Sequence, residues 1–235
     1  MSDALDGIDL ISTRTKFSYG LGALGKDFAC SIVYLFLMYY YTDVAGVPAA
    51  FVGTLFLVVR IIDAVSDPVM GMIVDNTRSR FGKFRPWIVL GTVINSLALL
   101  ALFSAHLFSG SQLLLFVTVT YIIWGLTYTI MDIPFWSIVP ALSASREERE
   151  RLVVWPRLFA SIAWTIIGTY GLASIAFLGK GDDGEGFLLL SGLIIIAFLA
   201  SALTTFTQEK ERVDTQVQRN RFSFGYMIAI LRLSL

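Results

Sequence analysis

Six stretches of about 20 apolar residues, each long enough for one membrane crossing, recur along this 235-residue chain and restrict its fold more than any other feature. In hydrocarbon every backbone N–H and C=O must be satisfied inside the protein, so each stretch is confined to an α-helix. Hydropathy predicts helices over Phe17–Tyr41, Ala49–Val74, Trp87–His106, Leu113–Leu142, Leu152–Leu178 and Phe187–Phe206. Composition agrees. Hydrophobic residues make up 56% of the chain and charged residues 15%, against about 25% charged in a soluble domain. The expected fold class is an all-α membrane protein with six transmembrane helices.

The charges are sorted by connection. Arg14 and Lys16 precede the first helix; Arg78, Arg80, Lys83 and Arg85 separate the second and third; Arg146, Arg149 and Arg151 separate the fourth and fifth. Lys210, Arg212, Arg219 and Arg221 follow the sixth, and the remaining three connections hold only Lys180. The positive-inside rule therefore puts both termini in the cytoplasm, for a multi-pass protein of the cell (inner) membrane. Residues 1–16 read as a cytoplasmic N-terminus, 17–206 as the transmembrane domain and 207–235 as a cytoplasmic loop. That loop includes an amphipathic segment from Arg221 to Leu235, too short to span, after which the chain stops as if truncated. The polar, acidic start followed by a long apolar run does not read as a cleavable leader.

Several function classes drop out. Zero net charge gives no footprint for a nucleic acid. Cys30 is the lone cysteine and His106 the lone histidine, so neither a disulfide nor a cysteine- or histidine-based metal centre can form within the chain. No nucleophile–base pairing or phosphate-binding glycine loop suggests an enzyme, and no cofactor is implied.

Charges inside the apolar stretches are the candidates for function. In the second helix Arg60, Asp63 and Asp67 lie three and seven residues apart, on one face. A charge at the bilayer centre costs about 2.5–3.5 kcal/mol on insertion scales, so the stripe must meet water, a partner charge or an ion. Asp63 and Asp67 are one turn apart and can converge on one hard cation such as Na⁺ or Li⁺. Pro68 frees a nearby carbonyl, and a proton could occupy the same place. A salt bridge within the stripe is the structural alternative, although one arginine cannot neutralise two acids. On the fourth helix Tyr128, Asp132 and Trp136 recur every four residues. A carboxylate that accepts hydroxyl hydrogen bonds beside flat aromatic faces suits a sugar. An aromatic belt with a buried acid paired to Lys26 or Arg157 accounts for the same pattern. Lys26 and Asp27, adjacent on the first helix and about 100° apart, are expected to meet different partners. Asp75, near a helix C-terminus where an anion is disfavoured, precedes Arg78, Arg80 and Lys83. The four read either as a conformational latch or as a plain positive-inside loop.

The stretches Ser18-Tyr-Gly-Leu-Gly-Ala-Leu-Gly-Lys-Asp27, Leu37-Met-Tyr-Tyr-Tyr-Thr-Asp43, Val52-Gly-Thr-Leu-Phe-Leu57, Asp132-Ile-Pro-Phe-Trp136-Ser137 and Pro156-Arg157-Leu-Phe-Ala-Ser161 resemble the glycoside–pentoside–hexuronide:cation symporters of the major facilitator superfamily, in particular their melibiose permease-like members. The resemblance covers nearly the whole chain. It implies the N-terminal half of a twelve-helix fold, built as a 3+3 inverted repeat, with a second six-helix half as partner. It implies cation-coupled symport by alternating access, with a galactoside such as melibiose as the small-molecule substrate. Lys26, Asp27, Tyr128, Asp132, Trp136 and Arg157 then fall at or beside sugar positions. Asp63, Ser66, Asp67 and Thr129 fall at cation positions. Ser66 stands where Na⁺-coupled members typically carry asparagine, which leaves Na⁺, Li⁺ and H⁺ open. Asp75 also stands where asparagine is usual. A truncated, non-transporting fragment is the alternative reading.

Overall fold

The computed structural model describes residues 10–208. It contains helices α1 (Thr13–Tyr39), α2 (Ala49–Asn76), α3 (Arg85–Leu102), α4 (Gly110–Ser137), a short α5 (Val139–Leu142), α6 (Arg146–Gly179) and α7 (Asp183–Gln208), with no strand among those residues. Six helical segments are long and apolar enough to cross a membrane. The amphipathic segment expected beyond Arg221, and the basic residues from Lys210 on, lie outside the described residues.

Most differences from the expected boundaries have local causes. α6 begins at Arg146, six residues before the apolar run at Leu152, because hydropathy marks the membrane slab and not the helix start. Ser145 caps that start by accepting from the Glu148 amide, and Glu147 and Glu148 complement the helix N-terminus. α1 is capped the same way, by the Ser12 hydroxyl on the Thr15 amide. Past Tyr39 it relaxes into a π-helical turn over Tyr40–Val44. α3 stops at Leu102, and His106 sits in a separate 3₁₀ turn, Ala105–Leu107. Its imidazole nitrogen Nδ1 and the Tyr40 hydroxyl are 2.9 Å apart there. Pro68 and Pro134 lie inside α2 and α4 without ending them.

The helices pack in a defined order. α1 lies against α6 and α7, α3 against α4 and α7, and α2 against α4. Lipid offers no hydrophobic drive between helices, so close packing and interhelical hydrogen bonds hold them together. A methyl group on Gly91 of α3 would fall 2.7 Å from the Met131 backbone nitrogen of α4. The buried Asn95 amide donates to the Trp124 carbonyl and the Thr127 hydroxyl, both at 2.9 Å, and pins the same pair. The Tyr19 hydroxyl donates to the Phe135 carbonyl at 2.7 Å and ties α1 to α4. At one end of the bundle, buried Glu148 accepts from Lys16 Nζ at 2.8 Å and from the Ile11 amide at 3.2 Å. The starts of α1 and α6 therefore share that end.

Candidate functional site

α1, α2, α4 and α6 present their intramembrane polar side chains to one another as two clusters. The first is centred on Lys26, whose side chain is only 5% exposed. Its ammonium lies 2.7 Å from Asp132 Oδ1 and 3.6 Å from Asp27 Oδ2. It donates to the Tyr128 hydroxyl at 3.4 Å and stands 5.4 Å from the Trp136 ring centroid. Of the partners open to Asp132, Lys26 is the one it takes. Lys26 and Asp27 take different hydrogen-bond partners, as expected, Asp132 for the one and Trp164 for the other, while the four-carbon lysine stem also leaves the ammonium within ion-pair distance of its neighbour. Asp27 Oδ1 accepts from Trp164 Nε1 of α6 at 3.2 Å. Trp136 is exposed at the edge of the cluster. Arg157 is exposed and makes no ion pair among the described residues. It lies seven residues before Trp164, on the same face of α6.

The second cluster is the α2 stripe. Arg60 Nη1 is 3.4 Å from Asp63 Oδ2, and Nη2 donates to the Tyr34 hydroxyl of α1 at 2.7 Å. Thr129 Oγ1 of α4 donates to Asp67 Oδ1 at 2.9 Å. Asp63 Oδ1 is buried and has no hydrogen-bond partner among the described residues. Opposite it stands Gly125, one turn before Thr129: a Cβ there would fall 3.3 Å from Asp63 Oδ1 and 3.2 Å from Val59 Cγ1. Asp63 thus meets Gly125 as Asp67 meets Thr129, with α2 and α4 in matched register. Ser66 turns its hydroxyl to the Asp63 carbonyl of its own helix, at 3.3 Å.

An unpartnered carboxylate oxygen in a low-dielectric site is costly, and a bound cation or proton satisfies it. Two carboxylates and a hydroxyl offer hard oxygen ligands with charge to match. No group of three His, Cys, Asp or Glu side chains that could hold a metal occurs among the described residues.

The Asp75 cluster is looser. Lys83 Nζ reaches Asp75 Oδ1 at 2.7 Å, with Asp75 53% exposed. Arg80 lies over the Phe81 ring, and Arg78 is exposed. Of the three basic residues grouped with Asp75, Lys83 alone pairs with it among the described residues.

Three residues of these clusters escape a sequence reading. Trp164 and Tyr34 sit in apolar runs and look like any membrane aromatic. Gly125 contributes by having no side chain.

A family model described as MFS/sugar transport protein matches residues 18–231. A putative glycoside/cation symporter of Escherichia coli (strain K12) is 34% identical over 88% of the chain and 45% of its own length. An isoprimeverose transporter of Lactiplantibacillus pentosus is 33% identical over 88% of the chain and 44% of its own length. A glucuronide carrier protein homolog of Escherichia coli (strain K12) is 37% identical over 67% of the chain and 35% of its own length. The chain spans about half the length of the first two of these relatives.

Proposed function

The chain belongs to the MFS/sugar transport protein family, a family of multi-pass membrane transporters and not of enzymes, and from that premise we propose that it couples the movement of a monovalent cation to that of a sugar. The observation that carries this reading is the buried, unpartnered Asp63 Oδ1 facing Gly125, one turn from an Asp67 already oriented by Thr129. A cation at this place would be cargo, held by Asp63 and Asp67 with Thr129 beside them. Ser66 joins only by turning its hydroxyl away from its own helix. Na⁺, Li⁺ and H⁺ all fit the charge, and the short serine side chain makes the choice among them an experimental one.

The sugar would lie against Asp27, Asp132 and Trp136, with Tyr128 and Lys26 behind them and Arg157 on the α6 side. The relatives are named for a glycoside, isoprimeverose and a glucuronide, so a glycosidic sugar is the substrate class. A galactoside such as melibiose is the first to test. Trp136 and Arg157 are exposed, and in our reading a second six-helix half covers them, the two halves rocking about the sugar in alternating access. Asp75–Lys83 is then a latch at the cytoplasmic surface of an inner-membrane protein with both termini inside. A non-transporting fragment is the rival reading.

The cation site draws all its residues from this chain, so the test can be made on the chain itself. Purified protein in detergent is titrated with Na⁺ and with Li⁺ by calorimetry, at two pH values. Saturable binding that is lost in Asp63→Cys supports the reading. Identical titrations for the parent and Asp63→Cys overturn it.

A further inference from the structure

The two clusters are separate sets of ion pairs, yet one side chain touches both sets of partners. Tyr34 lies seven residues after Asp27 on α1, two turns along the same face. Its hydroxyl accepts from Arg60 Nη2 at 2.7 Å, and the Arg60 guanidinium carbon stands 5.1 Å from the centre of its ring. The same ring is 6.1 Å, centroid to centroid, from Trp164, whose indole N–H holds Asp27 Oδ1 at 3.2 Å. Arg60 in turn is the partner of Asp63 Oδ2. The connection therefore runs from the Asp63 carboxylate through Arg60, Tyr34 and Trp164 to the Asp27 carboxylate. Each contact differs in kind: ion pair, charge-assisted hydrogen bond, ring contact and indole hydrogen bond.

From this geometry we infer that Tyr34 and Trp164 are the positioning residues through which occupancy of the cation site is felt at Asp27. This rests on the symport reading above. A cation at Asp63 supplies the positive charge that Arg60 now supplies weakly, at 3.4 Å. Arg60 is then left to its stronger partner, the Tyr34 hydroxyl and ring. Tyr34 is 48% exposed on one side, and on the other its ring stands beside Trp164 and Trp124, so a shift of the ring changes its contact with Trp164. Moving Trp164 shifts the indole donor on Asp27 and so changes how that carboxylate can receive a sugar hydroxyl. Allosteric coupling is reciprocal, so the sugar must strengthen cation binding by the same factor.

Tyr34→Phe keeps the ring and deletes the hydroxyl that receives Arg60. Trp164→Phe keeps an aromatic ring and deletes the donor to Asp27. In the twelve-helix protein, galactoside affinity is measured with and without saturating Na⁺ or Li⁺ for the parent and for each variant. The quantity read is the ratio of the two affinities. A purely structural role would lower both affinities together and leave the ratio where it was. We expect Tyr34→Phe to keep sugar binding at saturating cation, Trp164→Phe to weaken it at both cation levels, and each to lose about tenfold in the ratio, the size of one hydrogen bond to a charged group. Cation affinity measured with and without sugar should lose the same factor. A parent ratio above one that both variants preserve overturns this inference and leaves the symport reading standing. A parent ratio of one overturns the symport reading, and this inference with it. If Tyr34→Phe does not fold, Trp164→Phe decides the matter alone.

Discussion

The Lys26 cluster and the α2 stripe both set two aspartates beside one basic residue within apolar helices, and they end in opposite states. Asp27 and Asp132 share one buried ammonium, which is nearly enclosed and has an aromatic ring on its outer side. Beside Asp63 and Asp67 stands one arginine, 51% exposed, which among the described residues pairs with Asp63 and not with Asp67, and holds Asp63 loosely at 3.4 Å. The first cluster carries its own cation. The second is one cation short, and an acid oxygen is left with nothing to accept from. A lysine stem built into α1 makes a permanent counter-ion, and an exposed arginine one turn away makes a replaceable one. Under the function proposed above, the first cluster would serve as a scaffold for an uncharged, hydroxyl-rich ligand and the second as a receptor for an ion.

The sharpest break in the comparison is Lys26→Met. It leaves two intramembrane carboxylates without their ammonium, and losing one partner of a buried pair costs about 3–5 kcal/mol. We expect a large drop in thermal unfolding temperature in detergent, largely recovered when Asp132→Asn is added. Asp63→Cys should do the reverse: cation binding and cation-stimulated galactoside binding are lost while the unfolding temperature holds or rises, since a poorly satisfied acid has been removed. An unfolding temperature that falls as far as in Lys26→Met would erase the distinction between the clusters. Thr129→Val removes the donor on Asp67 and should weaken cation affinity by about tenfold, a hydrogen bond to a charged group, as read by calorimetry. Gly125→Ala crowds Asp63 and Val59 by a few tenths of an ångström and should cost about 1 kcal/mol of packing, with a matching fall in cation affinity and little change in sugar affinity at saturating cation. The smallest effect is expected for Lys83→Ala: its pair with the half-exposed Asp75 is worth about 0–1 kcal/mol. Any effect should appear in transport rate and not in unfolding temperature.

Much of the site was legible because intramembrane charge is expensive and therefore rare. Arg60, Asp63, Asp67 and Asp132 stand out in apolar runs, and helical periodicity places them on shared faces without any coordinates. The pairing of Asp132 was narrowed in advance to Lys26 or Arg157, but which one wins depends on where α1 and α6 sit beside α4. Lys26 and Asp27 do take different hydrogen-bond partners, and what backbone direction left out is the reach of the lysine stem, which adds the 3.6 Å ion pair between them. Around Asp75 sequence distance misleads as well: Arg78, Arg80 and Lys83 follow it by three, five and eight residues, yet the turn of the loop, where Gly82 has a φ of 98°, returns the most distant of them to it.

Sequence by itself determined that this chain makes six apolar helices, which charges lie within them and which of those share a helix face, because hydrophobic length and the 3.6-residue period are local properties. Only the tertiary structure decided that Asp63 faces a glycine and has an unpartnered oxygen, that Asp67 meets Thr129, and that Tyr34 and Trp164 stand between the two clusters. These are contacts between helices, set by how closely α1, α2, α4 and α6 approach one another. In lipid that approach depends on the shape of each surface and on a few interhelical hydrogen bonds, which no single helix encodes.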